Sequence, residues 1–243
     1  MKQPAHAVTR CVTINAVCIA ASVPFGPNGE PSAVRKVPVS GPIEVTALGL
    51  GGDAHGDTVH HGGAEKAVHH YAFEHYGSWS RRFPEASDHF QAPAFFGENI
   101  STTGVTEETI CIGDVFRAGT ALLQVSEVRQ PCWKLSHRCG VPGFSRRVQE
   151  TGRTGWFYRV LEPGVIAAGD SMVLDARPRP NWPLARLLTL LYHAPLDQDE
   201  LSAIAEVVEL SAGQRAIAER RLATGEVEPW DRRLDGPLTP SGS

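Results

Sequence analysis

The sequence predicts an α+β protein in which a β-rich, barrel-like domain precedes a small domain of three helices. Runs of β-branched residues, separated by turns that contain Gly and Pro, extend through residues 11–176. Gly113-Asp114 and Gly169-Asp170 each accompany a strand-like run, and repeated bent strands favour a curled sheet or barrel over a flat sheet. After the proline-rich stretch 177–183 the composition becomes helical.

These observations divide the chain into four parts. We predict a β-barrel domain at 1–176, a linker at 177–183, a three-helix domain at 184–228 and a loose tail at 229–243.

The elements follow from local patterns. Strands are predicted at 11–20, 32–39, 43–48, 109–116, 120–128, 156–160 and 171–174. Between them, apolar residues at three- and four-residue spacing predict a helix over 65–82 that ends at Pro84, and a short helix is predicted over 144–149. In the three-helix domain Leu184 begins the first helix, Asp197 caps the second, and Ser211 with Gln214 forms a capping box that opens the third.

Composition and charge exclude several classes of function. The net charge of −4 and a pI near 6.2 give no basic footprint, so no nucleic-acid partner is expected. The five cysteines include no C-x-x-C pair, which argues against a disulfide framework or a structural zinc site and fits reduced thiols in the cytoplasm. Residues 11–23 superficially resemble a signal peptide, but Thr13 and Asn15 interrupt the apolar run, and no run reaches the roughly 20 residues of a membrane span.

The strongest candidate for chemistry is Cys132. The strand at 120–128 leads to it through Pro131, and Arg129 and Lys134 stand nearby, so positive charge favours the thiolate. We predict a thiol presented on a loop, able to act as a nucleophile or as a ligand to a soft metal. The other cysteines are predicted to be structural at positions 11, 18 and 111, and Cys139 is left open.

Two other motifs are weaker. Five histidines cluster between His55 and His70, but they lack the H-E-x-x-H arrangement of a helical metal site. The glycine-rich loop at 48–63 has neither G-x-G-x-x-G nor a Walker ending, so it is not a nucleotide loop.

An ordered set of motifs resembles a known family. The set comprises Leu48-Gly49-Leu50-Gly51-Gly52-Asp53, His61-Gly62-Gly63, His69-His70-Tyr71, Gly97-Glu98-Asn99-Ile100, Arg129-Gln130-Pro131-Cys132-Trp133-Lys134-Leu135, and Thr151-Gly152 through Tyr158-Arg159-Val160. It is similar to MOSC-domain proteins, and most of all to the YiiM-like group, which adds a C-terminal three-helix domain. Two positions depart from the common pattern: Ile100, where Leu is common, and Trp133, where Tyr is frequent.

The resemblance implies a barrel-like domain that binds molybdenum cofactor, a molybdopterin, with Cys132 as the protein ligand to molybdenum. It implies reduction of N-hydroxylated compounds, such as hydroxylaminopurines. Candidate proton donors are His61 and His137. The predicted contacts of the cofactor are Asn99, Ser101, Gln130, Cys132, Lys134, Arg153 and Arg159.

The chain has no motif for a flavin, a nicotinamide, a haem or an iron–sulfur cluster, so a separate flavin or iron–sulfur reductase is expected to supply electrons. Two alternatives stay open. Cys132 is a nucleophile in acyl or sulfur transfer with His137 or His61 as its base, or the chain is a non-catalytic carrier of cofactor or sulfur.

Overall fold

The computed structural model describes residues 11–54, 56 and 62–236, in which strands predominate up to residue 176 and helices follow. The strands are β1 Cys11–Ile19, β2 Val23–Phe25, β3 Glu30–Ser32, β4 Val37–Pro38, β5 Ile43–Thr46, β6 Gly49–Leu50, β7 Val68–Ala72, β8 Ile100–Thr102, β9 Val115–Ala118, β10 Ala121–Val128, β11 Trp156–Glu162, β12 Gly164–Ile166 and β13 Ser171–Ala176. The helices are α1 Glu74–Arg82, α2 Lys134–Cys139, α3 Phe144–Thr151, α4 Leu184–Tyr192, α5 Gln198–Ala205, α6 Ala212–Thr224 and α7 Asp231–Asp235, with 3-10 helices at Ala64–Lys66 and Pro84–Phe90.

Seven of the strands close into a mixed barrel. Their order is β13-β9-β10-β11-β7-β8-β1, and pairing of β13 with β1 closes the ring. Within the ring β7 and β8 are parallel and the other pairs are antiparallel. The predicted α+β class and barrel are therefore confirmed.

One hydrophobic core fills the barrel and continues into the helical domain. Ile14, Val125 and Met172 of the strands belong to the same buried cluster as Leu187 and Leu191 of α4. Since apolar burial is the main source of stability, the barrel and the three helices stabilise each other.

A second, aromatic cluster covers the outside of β7. Tyr71 stacks on Phe96 at 3.8 Å between ring centroids, and Phe144 at the start of α3 lies edge-on to Trp79 at 5.2 Å. Leu135 of α2 belongs to the same cluster. This layer therefore attaches the two helices that follow Cys132 to the barrel wall.

The helix predicted over 65–82 is wrong in its first half. Val68–Ala72 form β7, and only Glu74–Arg82 are helical, as α1. All five residues of β7 are buried, because the core lies on one face and the aromatic cluster on the other. Continuous burial removes the alternation that would have identified a strand.

The three predicted C-terminal helices are present as α4, α5 and α6, and their caps agree with the sequence. The Asp197 side chain accepts a hydrogen bond from the Glu200 amide, and Ser211 accepts one from the amide of Gln214. Within the predicted loose tail, residues 229–236 are ordered, because Asp231–Asp235 form α7 and Leu234 is buried, and residues 237–243 lie outside the described residues. None of the helices in the described ranges is long and apolar enough to cross a bilayer.

Candidate functional site

Cys132 lies in the short connection between β10 and α2. Its carbonyl oxygen accepts a hydrogen bond from Ser145 Oγ at 2.6 Å, which ties the connection to α3. Only 8% of the residue is exposed, so the prediction of a thiol presented to solvent is wrong. The reason is packing: α3 on one side and α7 on the other cover a segment that the sequence alone presents as a loop.

Arg129 shares this region with Cys132. The residue is buried, and its Nη1 has no hydrogen-bond partner among the described residues. Burial lowers the pKa of Arg129, while negative charge at Cys132, the next largest influence, raises it. The two side chains are thus close enough to interact electrostatically, and the guanidinium keeps an N–H donor that an anion could use.

His69 of β7 is the neighbour of Arg129. A Cβ on Gly155 would lie 3.0 Å from His69 Nε2, and the Gly155 carbonyl accepts a 3.0 Å hydrogen bond from the Arg129 amide. Burial, and then the charge of Arg129, lower the pKa of His69 well below its usual value. His69 is therefore a neutral imidazole near pH 7, and its Nε2 has no partner within the described part of the chain.

A buried network lies beside His69. Lys36 forms an ion pair with Asp53, and Asn99 Nδ2 donates to Asp53 Oδ2 at 2.8 Å and to the Cys18 carbonyl at 3.1 Å. The Oδ1 of Asn99 accepts from the His69 amide at 3.0 Å. Both amide hydrogens of Asn99 are used within the protein, so the side chain joins β1, β7 and the glycine-rich loop, and its contact with a cofactor stays a prediction.

The other predicted site residues lie in different surroundings. Ser101 is fully buried on β8, and its Oγ has no partner in the ranges described. Lys134 Nζ donates to the Pro31 carbonyl at 3.1 Å, so its ammonium faces the β2–β3 hairpin. Arg153 lies over the Trp79 ring, 5.9 Å from its centroid. Gln130 lies between Arg129 and Pro131 and is partly exposed.

Arg159 is not brought to this site. Its Nε donates to Glu65 at 3.1 Å and its Nη1 to Gln124 at 2.9 Å, on the part of β11 that faces α6. Together with Leu210 and Arg215 it lines a cleft of about 540 Å³ that does not include Cys132. The prediction failed because the sequence does not tell which part of a strand approaches the loop.

Of the two predicted proton donors, only His137 lies within the described residues. His137 is exposed on α2, 5.1 Å from the Phe25 ring and 5.9 Å from the Trp133 ring, between centroids. His61 lies outside the described residues, as do His55 and His60.

Glu98 is a site residue that the sequence interpretation missed. It is fully buried, Oε1 accepts from Tyr76 Oη and from the Ala94 amide, and Oε2 has no partner among the described residues. Burial raises the pKa of Glu98. Arg129, His69 and Glu98 all stand inside the motifs named above, and strand register was needed to select them.

Unpartnered buried polar atoms are rare in folded proteins, and here one lies beside Cys132, on Arg129, and others lie on the neighbouring strands β7 and β8. Arg129 Nη1 offers a cationic donor, and His69 Nε2 and Ser101 Oγ offer neutral hydrogen-bonding groups. A thiol beside a cation and donors of this kind suits a ligand that combines a soft metal with an anionic group, so these residues fit a molybdenum cofactor.

Comparison with known proteins places the chain in a family. Residues 57–173 match the model of the MOSC domain, and residues 182–225 match that of the YiiM-like, 3-alpha helix domain. The chain is 39% identical over 210 residues to protein YiiM of Escherichia coli K12, which covers 86% of this chain and 93% of that protein. The chain belongs to the YiiM-like family of MOSC-domain proteins.

Solved structures agree with this membership. Escherichia coli YiiM superposes with a TM-score of 0.74 at 34% identity, over 88% of this YiiM-like chain and 98% of that one. YiiM from Geobacillus stearothermophilus also gives 0.74, at 30% identity, over 87% and 99% of the two chains.

A third relative is a longer protein. A protein of Gibberella moniliformis named "Reductase" is 43% identical over 152 residues, which is 62% of this YiiM-like chain but 27% of that protein. The MOSC match includes Cys132, Arg129 and His69, whereas α7 lies beyond both family matches.

Proposed function

We propose that this YiiM-like protein is a molybdenum-cofactor-dependent oxidoreductase that reduces N-hydroxylated compounds, hydroxylaminopurines and related molecules among them. The observation that carries the proposal is the buried Arg129 guanidinium, with Nη1 unpartnered in the described structure, beside Cys132. Family membership and the relative named as a reductase support it.

Each residue has a role that follows from its surroundings. Cys132 would be the protein ligand to molybdenum, because thiolates suit soft metals. Arg129 would bind the anionic part of the cofactor, since a buried cation gains most from an anion. His69 Nε2 and Ser101 Oγ would complete its hydrogen bonds, and Lys36 and Asp53, through Asn99, keep the His69 strand in place.

The reaction converts R–NHOH, two electrons and two protons into R–NH2 and water. When bound, the cofactor would supply the two-electron chemistry. His61 and His137 remain the predicted proton donors, and the electrons are proposed to come from a separate flavin or iron–sulfur reductase.

Metal analysis of the purified protein tests the proposal. Protein from cells that make the cofactor should contain about one molybdenum and one pterin per chain, and Cys132→Ala should contain almost none. Cys111→Ala is the matched control, because Cys111 is also buried but lies against the Pro180 carbonyl, away from Arg129. It should keep the metal and lose about 1 kcal/mol of stability through a small cavity.

The same samples separate the alternatives. With reduced viologen as electron donor, wild type should convert a hydroxylaminopurine to the amine and Cys132→Ala should not. Full metal content and turnover in Cys132→Ala would refute the assignment of the ligand. Bound cofactor without turnover would indicate a carrier, and a metal-free protein with Cys132-dependent acyl transfer would indicate a nucleophile.

A further inference from the structure

The short helix α7 contacts the Cys132 connection directly, although more than a hundred positions lie between them in sequence. Arg233 Nη1 donates to the carbonyl of Pro131, which is 102 residues away. The carbonyl of the same Arg233 accepts from the Trp133 amide at 2.7 Å. One residue therefore bonds the two backbone groups that flank Cys132.

Helix α3 completes this arrangement from the other side. Ser145 Oγ donates to the Cys132 carbonyl at 2.6 Å, and Arg233 Nη2 donates to Gln149 Oε1 at 2.7 Å. Arg146 of α3 also forms ion pairs with Asp231, at 2.6 Å, and with Asp235 of α7. The backbone from Pro131 to Trp133 thus lies between two helices that are themselves connected.

The indole of Trp133 also packs between two parts of the chain. A Cβ on Gly236, directly after α7, would lie 3.0 Å from Trp133 Cγ, and a Cβ on Gly26 would lie 2.4 Å from Cη2. The ring therefore packs between the end of α7 and the β2–β3 hairpin, with no space for a larger residue at either glycine.

Helix α7 is in turn attached to the three-helix domain. Trp230 lies edge-on to Tyr192 of α4 at 5.6 Å between ring centroids. Its Nε1 donates to Glu228, which forms an ion pair with the buried Arg221 of α6 at 2.8 Å. A continuous set of contacts thus joins α4 and α6 to the Cys132 connection.

We infer that Arg233 is a positioning residue for Cys132, through which the segment 231–236 and the three-helix domain fix the backbone on both sides of the thiol. The role of the thiol as a metal ligand rests on the proposed function. The hydrogen bonds that fix its backbone are independent of that function. Two backbone anchors on either side of one residue restrict the direction of its side chain, which is what a metal ligand requires.

Alkylation of the thiol tests this inference without any cofactor. Full-length protein, purified from cells grown without molybdate, is treated with iodoacetamide, and the labelling rates of Cys132 and of the buried Cys18 are measured by peptide mass spectrometry. Arg233→Ala should label at Cys132 about tenfold faster than wild type, with Cys18 unchanged, because only the local contacts are lost. Arg233→Lys should give an intermediate rate, since one ammonium cannot replace a guanidinium that bonds two acceptors.

Arg232→Ala is the matched control, because Arg232 is exposed on the same helix and its side chain makes no contact with the Cys132 connection. Equal Cys132 labelling in Arg233→Ala and Arg232→Ala would overturn the inference. If Cys18 also labels faster in Arg233→Ala, the ratio of the two labelling rates decides. A Cys132 rate that rises several-fold more than the Cys18 rate supports the inference, and equal rises of the two rates overturn it.

Molybdenum retention separates this inference from the proposed function. In protein from cells that make the cofactor, Arg233→Ala should lose metal on dialysis several-fold faster than Arg232→Ala. If labelling responds as expected but wild type never contains molybdenum, the proposed function fails and the positioning role stands. If wild type and Arg233→Ala retain metal equally and label equally, the positioning role fails and the proposed function stands.

Discussion

At the scale of single residues, Arg129 shows how a site can be at odds with stability. Its buried charge interacts with Cys132, Tyr71 and Glu98, and its Nη1 lacks a hydrogen bond in the described structure. Burial of a charge without full compensation destabilises a folded protein. A nonpolar side chain of the same volume at that position often gives a more stable protein. Under the proposed function, binding of the anionic cofactor compensates this charge.

Arg129→Met should therefore have two opposite effects. The free energy of unfolding of the cofactor-free protein should rise by about 1 to 3 kcal/mol, because the desolvation penalty is removed. Bound molybdenum should fall to near zero. Urea unfolding and metal analysis measure the two quantities.

The control for this prediction is Arg159→Met. Arg159 is paired with Glu65 and Gln124, so the variant should lose up to about 1 kcal/mol and keep its metal. A less stable Arg129→Met that still binds molybdenum would contradict the role given to Arg129.

Part of the site could be predicted from sequence and part could not. Cys132 stands out because a proline and cations surround it at a strand end, which are local features. The chemistry of Asn99 and Arg159 predicts contact with a cofactor, but each has polar atoms used by partners 30 to 94 positions away. Such pairing depends on tertiary contacts that no local pattern reports.

At the scale of elements, the sequence predicts the C-terminal helices correctly but not strand β7, and this difference has a physical cause. Helices α5 and α6 carry caps that act within three residues, so sequence identifies them. Strand β7 is buried on both faces, and its residues, with those of α1, fall at helical spacing by coincidence. Neighbouring elements, and not the strand itself, determine that burial.

Strand β7 also places a titratable group inside the barrel. His70 is fully buried, with Nδ1 bonded to Tyr158 Oη and Nε2 to Thr102 Oγ1, both at 2.9 Å. Burial lowers the pKa of His70 to about 3. Because the unfolded chain takes up this proton near pH 6.5 and the folded chain does not, stability is present above that pH and is lost as the pH falls toward 3.

We expect wild type to lose about 2 kcal/mol more stability between pH 7 and pH 5 than His70→Gln does. Glutamine keeps hydrogen-bonding capacity for Tyr158 and Thr102 but does not titrate. Urea unfolding at the two pH values measures the difference. His89→Gln, at an exposed position, should keep the wild-type pH dependence, and an equal pH dependence in His70→Gln would contradict the neutral burial of His70.

At the scale of the whole molecule, the barrel and the three helices are packed against each other. Gln214 of α6 bonds both backbone groups of Val128, with Nε2 donating to the carbonyl at 2.7 Å and Oε1 accepting from the amide at 3.3 Å. Ser211 donates twice to the same strand, through its amide to the Ser126 carbonyl at 2.8 Å and through Oγ to Glu127 Oε2 at 2.5 Å. The helices thus contact β10 immediately before the residues of the site.

The whole chain is also the scale at which the electron supply is decided. The sequence carries no flavin, nicotinamide or iron–sulfur motif, so cofactor-loaded protein should reduce N-hydroxy substrates with reduced viologen and not with NADPH alone. Addition of a flavin or iron–sulfur reductase should make turnover with NADPH possible. The rate of amine formation, measured with each donor, tests this, and rapid NADPH-driven turnover by the single chain would refute a separate reductase.

The contact between Arg233 and Pro131 also has a consequence for the order of events during synthesis. With 102 residues between them, the ribosome adds Arg233 roughly 5 to 20 s after Pro131, at ordinary rates of elongation. During that interval strand β10 has been synthesised, but the hydrogen bonds of Arg233 with Pro131 and Trp133 cannot yet form. Nascent chains that stop before residue 231 should therefore carry a thiol open to oxidation, and insertion of a cofactor should follow translation instead of accompanying it.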